Sequence, residues 1–169
     1  NGTFTFRHNL CIARSDYSAS NQPAIGNGYS GPKDATIENN TLYHTRSANL
    51  QFQKTNAPWL GENRIADNIM WMGNYGATSE RTTNFGAGAI DIHIGVENYL
   101  NNAVHTGSAS YPQPAGTIRL TQAEQQAGFV NFGGPNIADW EIKPGHQFLT
   151  AGDGGDRLGV NIPQLVTFQ

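Results

Sequence analysis

The feature that most constrains this chain is an asparagine that recurs inside one local pattern. Four segments align on it: Phe6-Arg7-His8-Asn9-Leu10-Cys11, Ile37-Glu38-Asn39-Asn40-Thr41-Leu42, Ile65-Ala66-Asp67-Asn68-Ile69-Met70 and Tyr99-Leu100-Asn101-Asn102-Ala103-Val104. Three residues before the shared asparagine stands Phe6, Ile37, Ile65 or Tyr99, and two after it Cys11, Leu42, Met70 or Val104, apolar every time. The residue just before it is polar: His8, Asn39, Asp67 or Asn101. The steps from Asn9 to Asn40, to Asn68 and to Asn102 are 31, 28 and 34 residues. That spacing is too uneven for helical-hairpin repeats, whose period is nearly fixed. It suits a β-solenoid, in which short strands of one coil pair with the coils above and below while loops of any length leave the turns. A side-chain amide both donates and accepts, so asparagines stacked about 4.8 Å apart can bond to one another and to the turn backbone. Asparagine also tolerates left-handed backbone. Asn9, Asn40, Asn68 and Asn102 are therefore expected to form a structural ladder.

A second strand signal follows in two of the coils. Asn49-Leu50-Gln51-Phe52-Gln53 and Ala89-Ile90-Asp91-Ile92-His93-Ile94 both alternate with period two. Read as strands, they turn Leu50, Phe52, Ile90, Ile92 and Ile94 inward and leave Asp91 and His93 on one outer face. The stretches 15–33 and 73–88 are rich in Gly, Ser, Asn and Thr and read as projecting loops. From about Tyr111 the pattern changes, with Pro112 and Pro114 and then Thr121-Gln122-Ala123-Glu124-Gln125-Gln126-Ala127, a short helical turn capped by Thr121. An open last coil would expose unpaired edges and apolar core, so this segment is expected to cap the stack. The reading is one all-β domain of about four coils over residues 1–110, with a C-terminal coil and cap over 111–169.

Composition narrows the function classes. Ten Lys and Arg against thirteen Asp and Glu give a net charge of −3 without any basic run, so the electrostatic footprint of a nucleic-acid binder is missing. No apolar run approaches the ~18 residues of a membrane span. The single cysteine, Cys11, sits in Asn9-Leu10-Cys11-Ile12-Ala13 and reads as a small core hydrophobe. Thr3-Phe4-Thr5-Phe6-Arg7 already alternates like a strand, with no initiating Met and no signal sequence ahead of it. Upstream β-helix coils of a longer chain are thus an expected partner.

Two features resemble the right-handed parallel β-helix proteins of the pectate-lyase-like superfamily, in particular secreted bacterial polysaccharide lyases. Ile37-Glu38-Asn39-Asn40-Thr41-Leu42-Tyr43 and Asp67-Asn68-Ile69-Met70 look like that group's Asn-Asn-Thr and Asn-Asn-Ile turns. Asp139-Trp140-Glu141-Ile142-Lys143-Pro144-Gly145-His146, with Ala151-Gly152 and Gly159-Val160 after it, is similar to its closing segment, an aspartate-led strand before a Lys-Pro-Gly turn. The resemblance implies a right-handed parallel β-helix, secretion or display at the cell surface, and an acidic polysaccharide as partner. It further implies a groove along one sheet where a basic side chain removes the proton beside a uronate carboxylate, with Ca²⁺ or Arg neutralising that carboxylate.

Candidate residues follow from that chemistry. Lys54 ends the Gln51-Phe52-Gln53 strand and Arg46 lies in the turn before it, a base and a neutralising cation. His93 with Asp91 beside it is a second acid or base candidate. Tyr43, Trp71 and His105, in the column three after the ladder asparagine, offer flat faces for sugar rings, or else stack internally. Ca²⁺ remains possible, with Asp153 and Asp156 in Gly152-Asp153-Gly154-Gly155-Asp156 the best local acid pair, although a plain Gly-rich turn accounts for that segment better. The competing functions are a carbohydrate-binding or adhesive β-helix without catalysis, as in tailspikes and surface proteins, and a glycoside hydrolase, which needs two outward carboxylates across the groove.

Overall fold

The structure is a computed structural model that describes residues 3–12, 25–26, 33–43, 50–52, 58–71, 77–79, 86–105 and 112–166. Its strands are β1 (Thr3–Arg7), β2 (Leu10–Ile12), β3 (Ile25–Gly26), β4 (Lys33–Glu38), β5 (Thr41–Tyr43), β6 (Leu50–Phe52), β7 (Arg64–Ala66), β8 (Ile69–Trp71), β9 (Thr78–Ser79), β10 (Tyr99–Leu100), β11 (Ala103–His105) and β12 (Ile118–Leu120). Three short helices join them: α1 (Ala87–Ile94), α2 (Gln122–Ala127) and α3 (Ile162–Val166). The fold is thus mostly β with some helix. Sheet A runs β1-β4-β7-β10, sheet B runs β12-β11-β8-β5-β2 and sheet C runs β3-β6-β9, every pairing parallel and none of the sheets closed into a barrel. From β1 to β9 the chain visits sheets A, B and C in rotation.

The columns of the sequence alignment are the pairing register. Phe6 sits opposite Ile37 and Ile37 opposite Ile65, which faces Tyr99; on sheet B, Cys11 faces Leu42, Leu42 faces Met70 and Met70 faces Val104. These side chains form one inner cluster with Leu50, Phe52 and Trp59. A one-residue slip would turn every one of them outward, so the apolar columns alone specify this register strongly.

The corner between sheets A and B holds the asparagines. Asn40 Oδ1 accepts from both the backbone amide and the side-chain amide of Asn9, each at 3.0 Å. Asn68 Oδ1 accepts the same two bonds from Asn40 at 3.0 and 2.9 Å, and Asn102 Oδ1 accepts them from Asn68 at 3.1 and 2.8 Å. Each amide also reaches back to the carbonyl three residues before the preceding asparagine: Asn40 to Phe6, Asn68 to Ile37 and Asn102 to Ile65. Asn40, Asn68 and Asn102 are fully buried, so every polar atom in the row needs a partner, and the repeat supplies it. The left-handed backbone belongs to the residue before the asparagine, at φ of 56° for His8, 53° for Asn39, 57° for Asp67 and 51° for Asn101. That strained position, not the ladder position, explains the polar column ahead of it, since Asn, Asp and His enter this region more readily than other side chains.

Two expectations are corrected by the described residues. Residues 89–94 do not form a strand; they lie in α1. The isoleucines at 90, 92 and 94 alternate, but the helical spacing puts Ala89, Ile90, His93 and Ile94 on one buried face and leaves Asp91 exposed. The helix is fixed at its start, where Gly86 N donates to Ala77 O and Ala87 N to Pro112 O. Gly86 has φ of +58° and presses against the Pro112 carbonyl, so only glycine fits the junction. The segment after β12 turns back across the outer face of sheet B, where Phe129, Trp140, Ile142, Phe148 and Leu158 form a second cluster with Ile69 and Ala103. Asp139 and Trp140, expected in a strand, occupy a single 3-10 turn (Ile137–Trp140). The helical turn after Thr121 forms as α2, with Thr121 and Glu124 capping it reciprocally.

Removing a middle rung should cost far more than removing the first. Asn68→Ala leaves the buried Asn40 backbone amide without its acceptor and takes the side-chain donor from Ile37 O, Ala66 O and Asn102 Oδ1, and with about 1–3 kcal/mol for each group left short the loss should reach at least ~3 kcal/mol. Asn9→Ala, at the solvent-facing end, should cost about 1 kcal/mol. Urea unfolding at unchanged m-value measures both, and equal losses would mean that the ladder is not the organising contact. Tyr99 offers a second check. Its hydroxyl is buried in the core and has no hydrogen-bond partner among the described residues, and burial pushes the phenol pKa far up. Tyr99→Phe should leave the urea midpoint unchanged or raise it, whereas a fall of ~1 kcal/mol or more would reveal a partner for that hydroxyl.

Candidate functional site

The geometry of the corners determines which surfaces remain for function. Between sheets A and B the connection is always two residues: 8–9, 39–40, 67–68 and 101–102. On either side of sheet C the connections are longer and unequal, over 13–24, 44–49 and 72–77 ahead of its strands and 27–32, 53–63 and 80–98 behind them. Where the chain passes through all three sheets, the connections that vary in length are therefore those on the flanks of sheet C. Connections free to vary in length are where binding and catalytic residues concentrate on a rigid scaffold.

Sheet A carries a strip of ion pairs. Glu38 accepts from Arg7 Nη2 at 2.9 Å on the neighbouring strand and from Arg64 Nε on the other side. Arg64 Nη2 lies 3.0 Å from Asp153 and 3.9 Å from Asp67. Arg157 pairs with Glu141 at 2.9 Å, and its carbonyl accepts from Asn39 Nδ2. These arginines are already held by carboxylates, so the strip fastens the C-terminal segment rather than presenting a free cation to a ligand. The sequence held a signal for it, opposite charges at equivalent positions two before Asn9 and Asn40, which a search for apolar columns passes over.

Asp67 is the centre of that fastening. Its Oδ1 accepts from Asp153 N at 2.9 Å and its backbone carbonyl from Gly159 N at 2.8 Å. Val160 N donates to Thr41 Oγ1 on the next repeat and Gln125 Nε2 to Met70 O. Gly159, at φ of +66°, lies so close that a Cβ would stand 2.6 Å from Thr41 Oγ1 and 2.8 Å from Ile69 Cδ1. The C-terminal segment is thus bonded to successive repeats and bridges them.

The predicted site residues fall in different places. Lys54 and Arg46 lie outside the described residues, in the segments that follow and precede β6. His93 and Asp91 do not share an outer strand face. His93 is buried on α1, with Nε2 3.0 Å from Ser79 Oγ and its ring stacked on Phe52 at 4.5 Å, while Asp91 is exposed on the other side of the helix. Such a histidine is part of the core and is screened from a large substrate. Tyr43, Trp71 and His105 do line up, with ring centres 5.2 Å apart for Tyr43 and Trp71 and 4.1 Å for Trp71 and His105. Tyr43 is additionally packed by Phe132 at 4.6 Å and Trp140 at 5.6 Å, so this end of the row is covered by the C-terminal segment. Trp71 and His105 remain half-buried.

At the 152–156 turn the side chains are committed elsewhere than to a Ca²⁺ ion. Asp153 pairs with Arg64, and among the described residues no three His, Cys, Asp or Glu side chains converge on one point. Cys11 is half-buried and packs against the inner cluster; burial raises its thiol pKa, away from thiolate chemistry.

The electrostatics of Asp67 give a pH test. Burial, as the largest effect, holds its carboxyl above the ordinary carboxylate value, against the opposing pull of the Asp153 amide and Arg64. The folded chain thus retains a proton that the unfolded chain has released. This group favours folding fully below the ordinary value, and the contribution is lost as pH rises through the raised one. Asp67→Asn keeps the acceptor for Asp153 N, suits the left-handed backbone and removes the buried charge. Its urea midpoint relative to the parent should be higher at neutral pH than at about pH 3. A relative midpoint that instead falls on going to neutral pH would show that the charge attracts Arg64 more than burial opposes it.

Comparison with protein-family models, curated proteins and solved structures finds no match to this chain.

Proposed function

We propose that this chain is part of a secreted or cell-surface right-handed parallel β-helix that processes polysaccharide, and that the activity is a lyase acting on an acidic glycan by β-elimination. The observation that carries the reading is the division of labour among the three sheets. Sheet A is tiled by ion pairs and sheet B is covered by the C-terminal segment, while the connections of variable length all flank sheet C. A parallel solenoid offers an extended polymer an equally extended sheet, and connections of unequal length on both sides of that sheet are where such a scaffold can carry binding groups. Arg46 and Lys54 belong to the two segments on either side of β6.

The chemistry asks little beyond those two groups. Lys54, in its neutral form, takes the proton on the carbon beside the uronate carboxylate, and Arg46 stabilises the negative charge that develops there. The electron pair of the broken C–H bond forms the new carbon–carbon double bond as the glycosidic C–O bond breaks, and the leaving oxygen is protonated from Lys54 or water. The products are a shorter chain and an unsaturated uronate.

A second reading rests on Trp71 and His105, whose adjacent half-buried rings suit carbohydrate binding without catalysis. The glycoside hydrolase reading is weaker, because Asp91, its best carboxylate, stands on α1 and not on a strand bordering a groove.

Ultraviolet absorbance of the conjugated uronate, followed on alginate, pectate and glycosaminoglycans with and without Ca²⁺, tests the proposal. Absorbance should rise on one substrate and should vanish in Lys54→Ala and in Arg46→Ala variants that retain the parent's unfolding transition. Silence on every substrate, combined with glycan binding that is lost in Trp71→Ala, would replace the lyase with the binding reading.

A further inference from the structure

The ladder is followed by a fifth corner that keeps its backbone and lacks its amide. In sheet B, Ala103 pairs with Ile118, Val104 with Arg119 and His105 with Leu120, so Thr117 stands in register with Asn102. Ile118 N donates to Asn102 O at 2.9 Å, as Thr41, Ile69 and Ala103 donate to Asn9, Asn40 and Asn68 at 2.9, 2.9 and 2.8 Å. Gly116, just before Thr117, has φ of +85°, on the left-handed side like His8, Asn39, Asp67 and Asn101. The side chain at the ladder position is nevertheless a short hydroxyl. Thr117 Oγ1 is buried and has no hydrogen-bond partner among the described residues. Nor does any of them accept from Asn102 N, whereas Asn9 N, Asn40 N and Asn68 N each donate to the Oδ1 of the next rung.

The two apolar columns change character at the same corner. Three before Thr117, in the column of Phe6, Ile37, Ile65 and Tyr99, stands Pro114, which is buried but has no N–H to give a further strand. Sheet A accordingly ends at β10, one strand short of sheet B. Two after Thr117, in the column of Cys11, Leu42, Met70 and Val104, stands the exposed Arg119. A repeat stacked beyond it would bury an unpaired guanidinium. Three unlike side chains thus interrupt three separate rows within residues 114–119.

We infer that residues 114–120 are a fifth repeat built as a stop, in which Thr117 interrupts the asparagine ladder, Pro114 ends sheet A and Arg119 ends the apolar column. The stop frees the chain to turn back. β12 leads through Thr121 into α2, and Gln125 of α2 donates to Met70 O, two repeats before β12. A complete fifth repeat would call for a sixth to cover its edges and its apolar layer. With that demand removed, the segment that follows packs on the outer face of sheet B instead.

Restoring the amide tests the assignment. Thr117→Asn should complete the rung, lowering the unfolding equilibrium constant measured in urea by a factor on the order of 10 and slowing hydrogen exchange of the Asn102 amide towards that of Asn68. Thr117→Val removes the unpartnered hydroxyl without supplying an amide, so the Asn102 amide should exchange as it does in the parent chain. Parent-like exchange at Asn102 in Thr117→Asn, or equal slowing in both variants, would overturn the inference. So would a Thr117→Asn variant less stable than the parent, because a corner with the ladder's geometry accepts asparagine.

Discussion

A row of buried side-chain amides is the constraint on which the rest of this structure depends. In a water-free corner an asparagine that lacks either its donor or its acceptor partner is costly, and here Asn40 and Asn68 are completed by the rungs on both sides together with backbone carbonyls of the corner. That requirement fixes the corner at two residues and the strand register with it, and it directs the apolar columns at −3 and +2 into one core. It also explains why the repeats are alike at one corner and unlike everywhere else.

The C-terminal segment works with the ladder rather than beyond it. Its bonds go to Asn39, Thr41, Asp67 and Met70, residues within or next to successive corners and strands of sheet B. A linear stack loses cooperativity when neighbouring repeats part independently, and a strap bonded to several repeats opposes that separation. The same strap covers one outer face, and the ion pairs that anchor it occupy part of another. What remains are the two flanks of sheet C, where the connections differ in length, and the functional proposal follows from that remainder.

How far the fold is legible in the sequence depends on how unambiguous each side chain's role is. The ladder and the apolar columns are legible because asparagine and large apolar residues at constant offsets suit few roles besides a buried amide row and a core. The left-handed residue is easily placed one position too late, since both corner residues are polar and only the backbone distinguishes them. α1 is hidden because isoleucine at 90, 92 and 94 satisfies a strand's period, while the helical face is completed by His93, a residue that counts as core only once its bond to Ser79 is seen. The strap is partly legible: its different composition marks it off, but contacts made through single residues more than eighty positions away leave no periodic trace. The candidate site is the least legible part, because Lys54 and Arg46 stand outside the repeating columns, where neither periodicity nor a fixed offset constrains a side chain.

Hydrogen exchange at the corner amides of the unmodified chain tests the central claim most directly, because Asn40 N and Asn68 N donate to side chains and not to a strand. If the ladder organises the fold, these two amides exchange only through global unfolding, with the same free energy and denaturant dependence as the strand amides of Ile37 and Ile65. If they exchange through local opening while those strands stay protected, the asparagines decorate a stack that is held together by its apolar core alone.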